Sequence, residues 1–192
     1  MALIQQKPIA LVGLPGGGKS TVGKSVARRL SRKFFDTDHV IEERIGTSIR
    51  SFFEQHGEEA FRDIESTVIG ELTQMEGAVL ATGGGAVLRL ENRQLLRDRT
   101  HVVYLRTTPQ EIFRRLRHDT QRPLLQVPDP LGKLRELFNE REPFYKEVAH
   151  FVIDTGRPSV PSLVNMLLMQ LELAGVVDPN FQPPSSKRPA EK

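Results

Sequence analysis

The sequence predicts an α/β fold, in which helices cover both faces of a five-stranded parallel sheet to give three layers. Short apolar runs alternate along the 192-residue chain with longer stretches of helical pattern, which is the element order that builds a parallel sheet. The apolar runs are mostly unalternated, as is typical of strands buried on both faces of such a sheet. Ligands in this architecture lie beyond the carboxyl ends of the strands, so the residues that follow each strand are the functional candidates.

Five runs are predicted to be strands, at residues 9–12, 34–35, 78–81, 102–105 and 151–153. Helices are predicted over residues 19–32, 58–76, 91–98, 109–118 and 131–148. A sixth predicted helix has an apolar stripe that runs from Val160 to Leu171, and it is the clearest, because Pro161 lies near its start and Gly175 just past its end. From Asp178 onward the chain is rich in Pro, Ser and charge, so residues 1–177 are predicted to form one domain and 178–192 a disordered tail.

The composition excludes several classes of protein. The chain contains no Cys, which excludes a disulfide framework, a Cys zinc site and a Cys nucleophile. No apolar run approaches the roughly 18 residues that a membrane-spanning helix requires, so no membrane partner is expected. The acid-free, basic N-terminus resembles an organelle transit peptide by composition, but a predicted strand begins already at Ile9, so a cytoplasmic location is expected.

The charged residues are segregated along the chain, although the net charge is only +3. Residues 1–33 carry seven basic and no acidic side chains, whereas residues 34–76 carry eleven acidic and three basic ones. A basic protein suggests a polyanionic partner such as nucleic acid. Two Tyr and no Trp leave few platforms on which bases could stack, so no nucleic-acid partner is expected and a smaller polyanion is favoured.

The loop after the first predicted strand has the pattern of a phosphate-binding loop (P-loop). The run Gly13-Leu-Pro-Gly-Gly-Gly-Lys-Ser20 satisfies G-x-x-x-x-G-K-[ST] between a predicted strand and a predicted helix. Its glycines let backbone N–H groups face phosphate oxygens at a helix N-terminus. Lys19 can reach the β- and γ-phosphates, and the Ser20 hydroxyl can bind Mg²⁺. The residues expected to bind ATP here are Pro15, Gly16, Gly17, Gly18, Lys19, Ser20 and Thr21.

Nucleoside-triphosphate binding leaves three classes of protein open: a GTPase, a hydrolytic ATPase and a small-molecule kinase. The chain has no Asn-Lys-x-Asp motif, which would select guanine. No second apolar strand ends in an Asp-Glu pair, as a hydrolytic ATPase would favour. The short chain therefore indicates a small kinase.

Two acids, Asp36 and Asp38, follow the second predicted strand. In an extended segment residues i and i+2 face the same side, so the two carboxylates are expected to share a cation or a substrate hydroxyl. Because a phosphoryl acceptor needs its hydroxyl oriented and relieved of its proton, Asp38 is assigned as orienter and candidate base. Asp36 is assigned to the Mg²⁺ shell. The alternative is that Asp38 only caps a helix that begins at Val40.

Three further features lie where an acceptor would bind. Arg62 and Glu65 share a face of a predicted helix, and taken alone they indicate a surface ion pair that contributes under about 1 kcal/mol. Three glycines at 83–85 follow the third strand and allow a small ligand to approach the backbone. Arg141 lies in a predicted helix that contains Pro143, which indicates a kink or a helix start.

Six motifs in order make the sequence resemble the shikimate kinases, which belong to the nucleoside-monophosphate-kinase-like P-loop group. The resemblance runs from about Ile9 to Val164, some four-fifths of the chain. The motifs are GLPGGGKST, FFDTD, GTSIRSFFEQHGEEAFRDIE, LATGGGAV, RPLL at 122–125 and R-x-P-x-Y-x-E-x-A at 141–149. Only the P-loop is specific by itself, but all six in order are highly specific. The resemblance implies a P-loop kinase architecture with a mobile lid at about 114–128.

The resemblance also implies a reaction, in which MgATP phosphorylates the 3-hydroxyl of shikimate to give shikimate 3-phosphate, a step of aromatic amino-acid biosynthesis. On the acceptor side it implies that Asp38 holds ring hydroxyls and that Arg62 and Arg141 clamp the carboxylate. The glycines implied to contact the acceptor are Gly83, Gly84 and Gly85. On the nucleotide side it implies three arginines, Arg115, the lid residue Arg122, and Arg157 in an adenine-contacting loop. The expected catalytic residues are Lys19, Asp38 and Arg122.

Two other functions stay open at this point. A gluconate kinase also needs a P-loop and a basic lid, but a neutral polyol would not need the paired Arg62 and Arg141. A protein that binds ATP only to regulate something else could lose Asp38, which this sequence keeps together with Lys19 and Arg122. Members of the resembled family tend to be monomeric, so a monomer is expected.

Overall fold

Five parallel strands form the middle layer of the molecule, in the order β2-β3-β1-β4-β5. The computed structural model describes residues 6–117, 126–156 and 159–181. The strands are β1 (Ile9–Val12), β2 (Phe34–Asp36), β3 (Val79–Ala81), β4 (His101–Arg106) and β5 (Phe151–Asp154). All four pairings between neighbouring strands are parallel. The predicted sheet is confirmed.

Helices pack on both faces of this sheet and complete the three predicted layers. They are α1 (Lys19–Leu30), α2 (Thr37–Ile45), α3 (Ile49–Leu72), α4 (Leu90–Arg99), α5 (Pro109–Leu116), α6 (Pro130–Val148) and α7 (Val160–Leu173). Successive residues of β1 alternate between two buried clusters: Ile9 and Leu11 pack with α1 and α7, and Ala10 and Val12 with α2 to α6. The period of two along the strand therefore separates the two cores.

The edge strand β5 was predicted to be buried on both faces, but it is buried on only one. Ile153 is buried, but Val152 is 49% exposed. Because β5 has a neighbouring strand on one side only, the helix layer that covers β4 does not reach over Val152. The interior strands β1 and β3 are buried along their whole length, and β4 is buried except at its two ends, as predicted. The residues of the other edge strand, β2, are only partly buried.

Two predicted helix starts are wrong, and one of two alternatives for Pro143 is excluded. Helix α2 begins at Thr37 and is capped by Asp36, so Asp38 lies inside the helix and does not cap one that begins at Val40. Helix α3 begins at Ile49, nine residues before the predicted start, and its two helical segments meet at Gly57 with φ 82°. Helix α6 runs through Pro143 from Pro130, so Pro143 is not a helix start.

The topology places the predicted functional residues at one end of the sheet. Strand β3 lies between β2 and β1, so the P-loop, Asp36 and the glycines after β3 emerge side by side.

Within the described ranges, none of the helices is both long enough and apolar enough to cross a membrane. The lid interval 118–125 and the tail from 182 lie outside the described residues, so those two predictions stay predictions.

Candidate active site

A cavity of about 280 Å³ opens at the carboxyl ends of β1, β2 and β3. Its walls come from the P-loop, from the start of α2 and from the loop after β3. The lining residues are Pro15, Gly16, Gly18, Lys19, Ser20, Thr21, Asp36, Asp38, Thr82, Gly83 and Gly84. Ten of these eleven were predicted from sequence. A larger cavity of about 860 Å³ beside β2, lined by Phe34, Leu72 and Met75 among others, shares only Asp36 with this site.

The P-loop has the backbone shape that phosphate binding requires. Gly16 and Gly18 have φ of 80° and 85°, a left-handed conformation that lets consecutive N–H groups converge on an anion. Gly18 is also the N-cap of α1, whose first turn contains no acidic residue. Lys19 Nζ donates to the carbonyl oxygens of Gly13 and Leu14, each at 2.8 Å, which holds its charge over the loop.

Asp36 and Ser20 form the part of the site that fits Mg²⁺. Ser20 Oγ donates a hydrogen bond to one Asp36 oxygen, and the other accepts from the N–H groups of Asp38 and His39 at 3.0 and 3.3 Å. A hydroxyl and a carboxylate are the oxygen ligands that Mg²⁺ prefers, with waters and substrate phosphates completing its shell. In the described part of the chain, no group of three or more His, Cys, Asp or Glu side chains is arranged so that it could hold a metal ion. The described residues therefore offer Mg²⁺ part of a shell.

The sequence predicted that Asp36 and Asp38 lie on the same side of an extended segment, and this prediction is wrong. Asp36 ends β2 and caps α2, so Asp38 lies in the first turn of the helix. The Asp38 carboxylate is turned towards the loop after β3, where a Cβ on Gly83 would lie 2.6 Å from its Oδ1. The pKa of Asp38 is raised to about 6, mainly by burial and then by the charges of Asp36 and Glu65, while the charge of Lys19 lowers it. A carboxylate with this pKa is ionised at neutral pH yet is a stronger base than an ordinary Asp.

Arg62 and Glu65 form a buried ion pair, so the prediction of a surface pair is wrong. Arg62 Nη1 donates to Glu65 Oε1 at 2.8 Å, and the two side chains are 10% and 1% exposed. Burial raises the pKa of Glu65, while the neighbouring Arg62 lowers it. Arg62 also contacts the exposed Glu58 at 3.3 Å. The sequence spacing showed that the pair shares a helix face, but not that this face points inward.

Each glycine of the loop after β3 makes room for one part of the site. A Cβ on Gly83 would meet Asp38, one on Gly84 would meet the Pro15 ring at 2.5 Å, and one on Gly85 would lie 2.7 Å from Arg62 Cζ. The sequence predicted that these glycines admit a ligand close to the backbone. The structure adds that they also allow the P-loop, α2 and α3 to pack against one loop.

Arg141 lies on α6 close to the same loop. Its charge acts on both Glu65 and Tyr145, and its buried Nε has no hydrogen-bond partner among the described residues. A buried donor without a partner carries a penalty of roughly 1–3 kcal/mol, which a bound acceptor oxygen would remove. The structure thus brings Arg62 and Arg141 to the same side of the site.

Sequence reasoning missed residues that hold the glycine loop. Thr37 Oγ1 accepts from Gly83 N–H at 3.0 Å. Arg89 pairs with Asp63 of α3 at 2.8 Å, and Arg93 donates to the Val87 carbonyl at 2.8 Å. Arg89 and Arg93 look like ordinary helix-surface charges in the sequence, so no local signal could have identified them.

The nucleotide side is described only in part. Leu116 and Ile112 of α5 lie where a Cβ on Gly16 would point, so α5 is packed against the P-loop. Arg115 is exposed on the last turn of α5. Arg122 and Arg157 lie outside the described residues, and their roles stay predictions.

Comparisons of the sequence with known proteins find similarity to shikimate kinases. A family model described as shikimate kinase matches residues 15–172. The shikimate kinase of Burkholderia thailandensis is 60% identical over 169 residues, which cover 88% of this chain and 92% of that protein. The shikimate kinase of Ralstonia nicotianae is 57% identical over 171 residues, covering 89% and 90%.

Solved structures give the same result. The shikimate kinase of Acinetobacter baumannii in complex with shikimate superposes with a TM-score of 0.82 at 45% identity, covering 88% of this chain and 94% of that one. A gluconokinase from Sinorhizobium meliloti reaches a TM-score of 0.59 at 19% identity, covering 88% and 93%, and this likeness concerns the fold alone.

Proposed function

Since this chain belongs to the shikimate kinase family, we propose that its site transfers the γ-phosphoryl group of MgATP to the 3-hydroxyl of shikimate. The family membership rests on the family model, which matches most of the chain, and on relatives that are 57% and 60% identical. The products are ADP and shikimate 3-phosphate. The proposed roles of individual residues follow from the geometry of the glycine loop.

One observation carries the assignment of the acceptor site. Gly83 contacts Asp38 and Gly85 contacts Arg62, so an acid and a buried arginine flank a segment whose ends are at most about 7 Å apart. Shikimate is a ring of that size, with a carboxylate at one end and hydroxyls at the other. A planar guanidinium suits the carboxylate and a carboxylate suits the hydroxyls. The acceptor thereby bridges Arg62 and Asp38, with Arg141 closing on its carboxylate.

For the transfer, different side chains bind the ATP phosphates, Mg²⁺ and the acceptor hydroxyl. The P-loop N–H groups and Lys19 hold the β- and γ-phosphates, and Mg²⁺ held at Ser20 and Asp36 would neutralise charge between them. Asp38 accepts the proton of the 3-hydroxyl as that oxygen bonds to the phosphorus and ADP leaves. Arg115 and Arg122 are proposed to approach the phosphates from the lid, and Arg157 to contact adenine. In the described structure Arg115 lies next to Leu116, which packs on the P-loop.

The experiment that tests this function measures acceptor-dependent ADP release with MgATP. Shikimate is expected to stimulate release strongly, while gluconate and quinate leave it near the background rate. Faster turnover of gluconate would support the other kinase class instead. If none of the three acids stimulated release, the protein would be an ATP-binding regulator and not a kinase of these acids.

A substitution at Gly85 tests the geometry of the acceptor site. In Gly85→Ala the new Cβ would press on the Arg62 guanidinium, which cannot move without breaking its buried contact with Glu65. We expect KM for shikimate to rise about tenfold or more, since one displaced charge-assisted hydrogen bond is worth roughly 1.5–3 kcal/mol, while KM for ATP stays unchanged.

The matched control for Gly85→Ala is Gly70→Ala. Gly70 lies inside α3, and a Cβ there would meet nothing within 4 Å. This control should leave both KM values unchanged and stabilise the helix by roughly 0.5–1 kcal/mol. An unchanged KM for shikimate in Gly85→Ala would show that Arg62 does not bind the acceptor from its present position.

A further inference from the structure

The hydroxyl group of Tyr145 links helix α6 to the glycine loop. Tyr145 is fully buried, and its Oη donates a hydrogen bond of 2.6 Å to the carbonyl oxygen of Gly84. The two residues are 61 positions apart in the chain. Gly84 lines the acceptor cavity, so this bond reaches the site although the tyrosine itself does not line it.

The bond restricts the orientation of the Gly84–Gly85 peptide. A trans peptide is planar, with its C=O and N–H pointing in opposite directions. Holding the Gly84 carbonyl on Tyr145 therefore also directs the Gly85 N–H away from α6. Because Gly83 packs on Asp38 and Gly85 on Arg62, a rotated peptide would change the spacing between the two ends of the acceptor site.

The same hydroxyl also interacts with Arg141. The two residues are four apart on α6, so their side chains share a face of the helix, and the charge of Arg141 lowers the pKa of Tyr145. Burial raises the pKa of Tyr145, which keeps its hydroxyl protonated and able to donate to the Gly84 carbonyl. The hydroxyl that holds the glycine loop therefore lies beside one of the two arginines of the acceptor site.

A second buried tyrosine lacks these contacts. The rings of Tyr104 and Tyr145 lie 5.1 Å apart at 30°, and both side chains are buried. The Tyr104 hydroxyl has no hydrogen-bond partner among the described residues. The two tyrosines therefore have similar surroundings but only one has a bonded hydroxyl.

We propose that Tyr145 is a positioning residue for the acceptor: its hydroxyl holds the Gly84 carbonyl, beside the Arg141 guanidinium, in the arrangement that receives the acceptor carboxylate. The inference rests on the proposed function and extends it to a residue that does not touch substrate. It assigns to the tyrosine of the R-x-P-x-Y motif a role in acceptor affinity, distinct from the packing role of its ring.

The test compares Tyr145→Phe with Tyr104→Phe, which each remove one buried hydroxyl and keep the ring. Tyr145→Phe is expected to raise KM for shikimate about tenfold, with KM for ATP and kcat within about twofold of wild type. Tyr104→Phe is expected to leave all three constants unchanged. Shikimate binding is also measured as the rise in melting temperature that shikimate causes, which does not depend on turnover.

A substrate analogue separates positioning from general loosening of the fold. With the methyl ester of shikimate, which lacks the charged carboxylate, the difference between Tyr145→Phe and wild type should shrink to about twofold. An equal loss with acid and ester, or equal behaviour of the two tyrosine variants, would overturn the proposal. If wild-type protein failed to use shikimate at all, the proposed function would fail instead, so the two failures are distinguishable.

Discussion

Replacing Asp38 by Asn is expected to lower kcat for shikimate phosphorylation about 100- to 10,000-fold, the range that a positioned acid–base group contributes. The amide keeps the size of the side chain but cannot accept the proton of the 3-hydroxyl. Single-turnover kinetics with saturating MgATP measure the effect. A loss below about tenfold would limit Asp38 to orienting the hydroxyl, as a loose transition state with little proton removal would allow.

The same replacement is expected to stabilise the protein at neutral pH. The pKa of Asp38 is about 6 in the folded protein against 3.8 for an ordinary Asp, so the ionised carboxylate opposes folding above about pH 6. That penalty disappears as the pH falls from about 6 to about 4, where the folded protein takes up the proton first. Asn removes the penalty, so the unfolding free energy should rise by at most about 3 kcal/mol near pH 8, at about 1.4 kcal/mol per pKa unit.

Urea denaturation at about pH 8 and about pH 4.5 measures this pH dependence. The gain from Asp38→Asn should be present at the higher pH and shrink at the lower one. The matched control is Glu43→Gln on the same helix, where Glu43 is 68% exposed; it should change stability by less than about 0.5 kcal/mol. Wild-type kcat/KM should fall below about pH 6 as Asp38 becomes protonated. A gain that persists unchanged at low pH would argue against a raised pKa.

Arg62→Ala is expected to have the second large effect, on both binding and stability. Removing the guanidinium takes away charge-assisted bonds to the acceptor carboxylate, so KM for shikimate should rise about 10- to 100-fold. It also leaves Glu65, which is 1% exposed, as a buried charge without its partner. Breaking a buried pair in this way costs roughly 3–5 kcal/mol, measured by urea denaturation.

A double variant separates the two effects of Arg62→Ala. Adding Glu65→Gln removes the unpaired charge, so most of the lost stability should return while KM for shikimate stays high. The control is Arg50→Ala on the same helix, since Arg50 pairs with Glu54 at 3.3 Å while 68% exposed; it should change neither property measurably. If the double variant regained shikimate affinity, the binding loss would have come from unfolding and not from Arg62.

The parts of the structure that could be predicted are set by residues close to one another in the chain. The P-loop was predicted from eight consecutive residues, because its backbone shape follows from glycines at fixed spacing between a strand and a helix. The strands β1 and β3 followed from unbroken apolar runs. The error at Asp38 had a local cause too: Asp36 is a good helix cap, and it starts α2 three residues earlier than the sequence suggested.

The sequence by itself determined the five strands of a parallel sheet, the phosphate-binding loop and the residue types that an acidic acceptor needs. Only the tertiary structure decided that the Arg62–Glu65 face of α3 is buried and that the hydroxyl of Tyr145, and not that of Tyr104, is bonded to the glycine loop. The reason is that helical periodicity shows which side chains share a face, whereas their surroundings depend on packing between segments distant in the chain. Burial then changes the energetics, because a charge pair that is weak in water becomes a strong constraint once it is removed from water.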